Sequence, residues 1–290
     1  NNARALINSN INILDGKKVS LAILERLKGQ HMTPTLLIVQ IGDNPASNAY
    51  IAQKKKFGEA IGATVRLTQL PEETQTEEIE KVIRQANTDK GIHGIIIQLP
   101  LPNHLDPYTL FDSIDPQKDV DGLGAVNIKK LYTGNLSGHI PATAKGILTL
   151  LEHYDHSLDG KKVTIIGRSP LVGKPTAQLA LLNNATVTIC HSHTQNLHEH
   201  TRNADILIVA TGIPNLITKE HVHHDQTIID VGINLLSGEH LEEEIPGKKF
   251  VGDVAFDEVA PMVQAISPVP GGVGPMTVAS LFENLYDSVS

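Results

Sequence analysis

The sequence predicts an α/β protein of two domains, each built on a parallel sheet. Three observations carry that expectation. Short aliphatic strands alternate with helical stretches in two separate series, and such alternation builds parallel sheets. The run "GIIIQLP" is apolar without alternation, as a strand buried on both faces must be. "VTIIGRSPLVGKP", residues 163–175, reads as a strand, a glycine turn and the start of a helix, a place where phosphate can bind.

The first ten residues, NNARALINSN, are polar and carry no structural expectation. In the first series, strands fall near Leu36–Ile41, Thr64–Gln69 and Gly94–Leu99, with helices near Asn48–Ile61 and Thr76–Asn87 between them. Asp106–Asp121 is rich in Pro and Asp and reads as a loop with one short helix. The second series follows a helix near Thr143–His153. Its strands are Val163–Ile166, Thr186–Ile189, Ile206–Ala210, Thr227–Val231 and Phe250–Val251. The helix after Gly173 carries Ala177, Leu179, Ala180 and Leu182, small or apolar residues suited to a sheet. This second series is Rossmann-like. The amphipathic tail Val278–Val289 is expected to fold back on the first domain. The domains are therefore drawn as 11–140 plus 277–290, and 141–276.

Composition narrows the function. The 290 residues include no Trp and 3% aromatics, so the core must be aliphatic. A net charge of −8 argues against a general nucleic-acid binder. A single cysteine, Cys190, excludes an intrachain disulfide and suits a reducing compartment, so a cytoplasmic protein is expected. No apolar run approaches the ~20 residues needed to span a bilayer, and no secretory signal is recognised. Among the 14 histidines, "HVHH" at 221–224 and "HSH" at 191–193 resemble metal sites. No cysteine or carboxylate cluster is seen to complete either set, so no catalytic metal is expected.

Two features point to chemistry. The glycine turn departs from the usual dinucleotide fingerprint: Arg168 and Ser169 follow Gly167, and the next glycine is Gly173. The second strand, "ATVTIC", ends in His191, Ser192, His193 and Thr194, with no acid to hold a ribose 2′-hydroxyl. An arginine there suits the extra phosphate of NADP; the other reading is an arginine that caps a strand end.

In the first domain, Tyr50, Lys54, Phe57 and Ile61 form one helical stripe that should face the sheet. Lys54 either snorkels from that face or is a partly buried amine with a lowered pKa, suited to acid–base work. Gln98, polar at the carboxyl end of a buried strand, favours the second reading, because ligands bind at such ends. "KDVDG" adds Asp119 and Asp121. Either both are solvated loop acids, or one holds an amino-substituted ring.

From about Ile13 to Phe282 the chain resembles the bifunctional methylenetetrahydrofolate dehydrogenase/cyclohydrolase family of the bacterial FolD type. The matching stretches are "GDNPASNAYIAQK", "GIIIQLPLP", "KDVDG", "GRSPLVGKP", "CHSHT", "ATG", "DVGIN" and "PVPGGVGPMT". The resemblance implies a substrate domain and a Rossmann-like NADP-binding domain with a cleft between them, and a homodimer. It implies oxidation of 5,10-methylenetetrahydrofolate by NADP⁺, then hydrolysis of the methenyl product to 10-formyltetrahydrofolate. Carried over by position, Lys54 is the catalytic lysine, Gln98 hydrogen-bonds it, Tyr50 packs on the folate rings and Asp121 anchors the pterin amino edge. Pro270, Gly271 and Thr277 line the folate site. Arg168 and Ser192 hold the 2′-phosphate, while Gly167, Ser169, Thr211, Gly212 and Ile233 lie along the cofactor.

Two stretches depart from the family pattern. Pro141-Ala142-Thr143-Ala144 stands for Pro-Cys-Thr-Pro, and Leu123-Gly124-Ala125 replaces an aromatic-His-Pro run. Two rival readings are weaker. The Tyr-x-x-x-Lys spacing of Tyr50 and Lys54 is shared with short-chain dehydrogenases, but there the pair follows the glycine loop within one domain. An NADP-binding sensor would have no need to keep Lys54, Gln98 and Asp121 together.

Overall fold

The computed structural model describes residues 12–235 and 250–289, so the first ten residues lie outside the described part. The strands in chain order are β1 Asn12–Ile13, β2 Thr35–Ile41, β3 Thr64–Leu70, β4 Gly94–Ile97, β5 Lys162–Ile166, β6 Thr186–Cys190, β7 Ile206–Val209, β8 Thr227–Asp230, β9 Asn234–Leu235, β10 Phe250–Val251 and β11 Ala265–Ile266. The helices are α1 Gly16–Lys28, α2 Pro45–Ile61, α3 Thr76–Thr88, α4 Pro107–Asp112, α5 Ala125–Tyr132, α6 Ala142–His153, α7 Gly173–Leu182, α8 Leu197–Arg202, α9 Phe256–Val259 and α10 Val273–Asp287. Two compact units result. One is Ser20–Lys145 with Thr277 onward; the other is Gly146–Met276 with the described residues up to Val19.

The first unit holds a parallel three-stranded sheet in the order β3-β2-β4. Every residue of the central strand β2 and of β4 is buried, so both faces are covered. The C-terminal stretch packs here. Phe282 stacks on Phe57 with ring centroids 5.2 Å apart, and the Tyr286 hydroxyl donates to the Ile61 carbonyl at 2.8 Å. Gly94 in β4 leaves room for this packing, since a Cβ would come within 2.7 Å of Leu285 Cδ1 and 2.8 Å of Val120 Cγ1.

The second unit is a doubly wound parallel sheet in the order β1-β11-β8-β7-β5-β6. Chain order reverses around β5, the crevice position where such sheets take ligands. Two expectations are corrected. Phe250–Val251 lies outside this sheet and pairs antiparallel with Asn234–Leu235. Ala265–Ile266, too short to show a periodicity, pairs with β8 instead. Residues 12–19, drawn with the first domain, belong to the second unit. β1 pairs with β11, and the Leu14 amide donates to the Ile266 carbonyl at 2.9 Å.

Phe282 is the pivot of the first unit's packing. Phe282→Ala should destabilise the protein by about 3–5 kcal/mol, the range for truncating a buried phenylalanine. Urea denaturation with an unchanged m-value is the check.

Candidate active site

The sheet-facing line of α2 is Ser47, Ile51, Gly58 and Ile61. Tyr50, Lys54 and Phe57 lie one position round the helix and are half-buried, so the stripe expected to face the sheet sits on its shoulder. That placement suits chemistry better than full burial, because the amine keeps access to a ligand. Lys54 Nζ donates to Gln98 Oε1 at 2.8 Å. The Gln98 amide cannot turn over cheaply, because its Nε2 donates to the Leu99 carbonyl at 2.8 Å. Gln98 is 6% exposed and immediately follows β4. Lys54 Nζ also lies 6.0 Å from the centroid of the Tyr50 ring, within cation–π reach.

Asp121 is half-buried, and burial pushes its carboxyl up to about 6. The Lys54 ammonium pulls it down and the Asp119 carboxylate pushes it up, both by smaller amounts. So Lys54, Gln98, Tyr50 and Asp121 come together on the first unit.

Asp119 is not the solvated acid that one sequence reading allowed. It is 2% exposed, and its carboxylate accepts from the amides of Gly122 (3.1 Å), Leu123 (3.3 Å) and Gly124 (2.9 Å) and from Asn127 Nδ2 (2.8 Å). Burial raises its pKa against those hydrogen bonds. Asp119 therefore builds the turn that presents Asp121. Gly122 sits at φ +71°, and a Cβ there would crowd the Ile140–Pro141 backbone at 2.7 Å. Asn284, which sequence reasoning missed, ties the same region down. Its Nδ2 donates to the carbonyls of Val120 and Ile140 at 2.9 Å each, and Lys145 Nζ donates to its Oδ1 at 2.9 Å. Thr277 Oγ1 donates to Thr143 Oγ1 at 3.3 Å.

Pro270 and Gly271 belong to the second unit, where Gly271, at φ +103°, accepts from the Lys17 amide at 3.0 Å. The cofactor candidates cluster at the carboxyl ends of that unit's strands. Gly167 follows β5 at φ +120°, and a Cβ there would collide with the Ala210 carbonyl. Ser169 Oγ accepts from the amides of Val172 (3.1 Å) and Gly173 (3.3 Å), capping the start of α7. Arg168 is exposed and lies near the end of β6. His191 has a lowered pKa, through desolvation first and then the Arg168 and His193 charges. Ser192 is exposed beside it. A guanidinium, a hydroxyl and no acid at this strand end fit a 2′-phosphate.

Thr211 and Gly212 follow β7, and half-buried Ile233 lies between β8 and β9. Thr211's hydroxyl donates to the distant Asp253 Oδ2 at 2.9 Å and accepts from the Ile213 amide of its own turn at 3.2 Å.

One metal-like grouping does include a carboxylate, contrary to the sequence reading: His223, His224 and Asp225 bring one ligand atom each within 4.8 Å. The His223 ring is already engaged on both nitrogens, with the Asp225 amide (3.3 Å) and the Ala204 carbonyl (3.2 Å). The group precedes β8, at the amino end of the sheet, away from the strand ends that carry the cofactor candidates.

Asp121 generates a pH test. Its folded pKa lies above the usual value, so the folded protein holds that proton more tightly. The stability this contributes is full below about 3.8 and is lost as pH rises through about 6. Asp121→Asn, which never ionises, should gain about 2–3 kcal/mol on the ligand-free wild type between pH 4 and 7. A stability difference that stays flat over that range, in chemical denaturation, would contradict the assigned burial.

The comparisons with known proteins agree with this geometry. Residues 14–121 match the catalytic-domain model of tetrahydrofolate dehydrogenase/cyclohydrolase, and residues 141–290 match its NAD(P)-binding-domain model. The chain is 46% identical over 279 residues to the "Bifunctional protein FolD" of Methanospirillum hungatei, covering 95% of this chain and 96% of that one. The FolD methylenetetrahydrofolate dehydrogenase/cyclohydrolase structure from Campylobacter jejuni superposes with a TM-score of 0.90 at 40% identity, over 96% of this chain and 98% of that one. The Trypanosoma brucei enzyme, complexed with NADP cofactor and inhibitor, has a TM-score of 0.88 at 32% identity, over 96% and 97% of the two chains. With both family models matched in order along one chain, and the lysine–glutamine pair in place, the protein belongs to the tetrahydrofolate dehydrogenase/cyclohydrolase family.

Proposed function

We propose that the protein oxidises 5,10-methylenetetrahydrofolate to the methenyl cation with NADP⁺ and hydrolyses that cation to 10-formyltetrahydrofolate. The observation that carries this reading is the 2.8 Å hydrogen bond from Lys54 Nζ to the uncharged Gln98, beside Asp121. Water addition to a cation needs a proton acceptor, and ring opening then needs a donor to the leaving nitrogen. One amine serves both in turn, and a neutral amide holds it without fixing its charge. Asp121, when ionised, accepts the amino edge of the pterin, and Tyr50 packs against its rings. Pro270, Gly271 and Thr277 are assigned to the folate as well.

NADP⁺ held by the second unit's residues would supply the hydride acceptor, so the protein's task in that step is positioning. Arg168 and Ser192 are assigned to the 2′-phosphate. Gly167, Ser169, Thr211, Gly212 and Ile233 are assigned to the rest of the dinucleotide, Thr211 through the shape of its turn. The NADP in the Trypanosoma brucei relative supports the choice of cofactor.

Among the described residues no helix is long and apolar enough to cross a membrane. A cytoplasmic protein that does not bind nucleic acid is in keeping with one buried cysteine and a net charge of −8. A homodimer is also proposed. β6 ends the larger sheet and its Ile189 is 40% exposed, which leaves an edge for a second copy.

A spectrophotometric assay with 5,10-methylenetetrahydrofolate and NADP⁺ or NAD⁺ in parallel tests the activity. Arg168→Ala should weaken NADP⁺ use about 10- to 100-fold, the worth of a charge-assisted contact, and leave NAD⁺ use nearly unchanged. Equal losses with both cofactors would make Arg168 structural. Lys54→Met should lower methenyl hydrolysis by at least ~10²-fold at an unchanged melting temperature. The exposed neighbours Lys55→Met and Lys56→Met should be near neutral. Hydrolysis by Lys54→Met well above background would remove Lys54 from the chemistry.

A further inference from the structure

Two buried carboxylates at the carboxyl end of the second unit's sheet take no part in the chemistry above. Asp253 is fully buried. Its Oδ2 accepts from the Thr211 amide (2.6 Å), the Thr211 hydroxyl (2.9 Å) and the Gly212 amide (2.9 Å). Its Oδ1 accepts from Asn234 Nδ2 at 2.9 Å. One carboxylate therefore ties the turn after β7 to the chain just past Ile233 after β8.

Asp230, the last residue of β8, supports it from below. Asp230 accepts from the amides of Gly232, Asp253 and Val254 at 3.0 Å each. The surrounding glycines leave space for both acids. A Cβ on Gly232 would collide with Asp253 Oδ1, and one on Gly252 with Asp230 Oδ2. A carboxylate out of water is costly unless donors surround it, and an apolar side chain would fill the space without that cost. What the acid adds is fixed geometry in two turns.

We propose that Asp253 is a positioning residue for the dinucleotide: by holding Thr211, Gly212 and Asn234 at once, it sets where Thr211, Gly212 and Ile233 meet the cofactor. This rests on the assignment of those three residues to NADP. The effect passes through the backbone, since two of Asp253's four donors are amides of the turn itself.

The test uses the full chain, with Asp253→Ala, Asp253→Asn and Arg168→Ala as variants. NADP⁺ affinity is measured by calorimetry, KM for each substrate by steady-state kinetics, and melting temperature alongside. Asp253→Ala should weaken NADP⁺ binding about 10- to 100-fold and raise its KM, with the KM for methylenetetrahydrofolate unchanged. Asp253→Asn should fall between, about 3- to 10-fold weaker. One oxygen still accepts from the 211–212 turn, and the new amide can donate to Asn234 Oδ1, which has no partner among the described residues.

NADP⁺ affinity unchanged in Asp253→Ala while Arg168→Ala loses it would overturn the proposal and leave the cofactor assignment standing. Unchanged affinity in both variants would overturn the two together. A parallel rise of both KM values with a falling melting temperature, and no rescue by asparagine, would reduce Asp253 to a structural residue. Should Asp253→Ala fail to fold, Asp253→Asn decides: wild-type affinity there overturns the proposal.

Discussion

A carboxylate taken out of water must be surrounded by donors, and in both units that requirement shapes the loops at the strand ends. Asp119 gathers three amides and one side-chain amide; Asp253 gathers two amides, a hydroxyl and a side-chain amide. Most of the donors come from consecutive turn residues, so the backbone has to curl around the acid. That curl dictates small residues close by. A Cβ on Gly124 would sit 3.1 Å from Asp119 Oδ2, and Gly232 has no space for one beside Asp253. The loops that carry the functional side chains are thus fixed by saturated acids that do no chemistry themselves.

The same accounting separates a carboxylate spent on a turn from one that is not. Asp119 and Asp121 are two residues apart and look alike in the sequence. Asp119 is the more deeply buried, but its acceptor capacity is spent on the turn. Asp121 gathers no amide donors among the described residues, and its pKa answers to burial and to Lys54. A carboxyl poised about 6, facing an ammonium, has capacity left for a ligand's N–H groups. Lys54 is organised on the same logic. Gln98, to which it donates, is an uncharged acceptor whose orientation the Leu99 carbonyl fixes, so the amine is placed by a neutral group.

Much of this was legible in the sequence because it is local. The seven longer strands lie within two residues of their expected ends, since aliphatic runs bounded by turns are strong signals. Gln98 stood out as a polar residue closing a buried strand, and Arg168 as a cation in a glycine loop. The helices α1, α5 and α8 carried no expectation, and the other misses are long-range. Asn12–Ile13 and Ala265–Ile266 are two-residue strands defined by pairing with distant chain, the first with the second and the second also with β8. Asp253 meets Thr211 across 42 residues and Asn284 meets Val120 across 164, and no spacing rule reaches that far. The stripe on α2 was displaced by one position for a related reason. Tyr50, Lys54 and Phe57 are consistent with a helical face, but Gly58 lets Phe282 and Val65 approach so closely that the buried line runs through the glycine instead.

The departure at Leu123-Gly124-Ala125 is where local compensation can be followed atom by atom. A proline at the third position would bring no amide and a fixed φ. Alanine brings an N–H at the first residue of α5, one of the helix-start donors that lack a partner within the helix. Asp112, at the end of α4, accepts it at 2.7 Å, so a hydrogen bond takes over the restraint that a ring would have given. At the second position glycine leaves no side chain, and a cavity of about 160 Å³ lined by Phe111, Asp119, Gly124 and Asn127 lies beside it. Neither change reaches Lys54 or Gln98, which are held from α2 and β4. The Asp119 turn closes on three backbone amides, which do not depend on side-chain identity, and on Asn127 from outside the altered run. The altered run therefore reshapes the wall behind Asp121 and leaves the acid's own placement to Asp119 and Asn284.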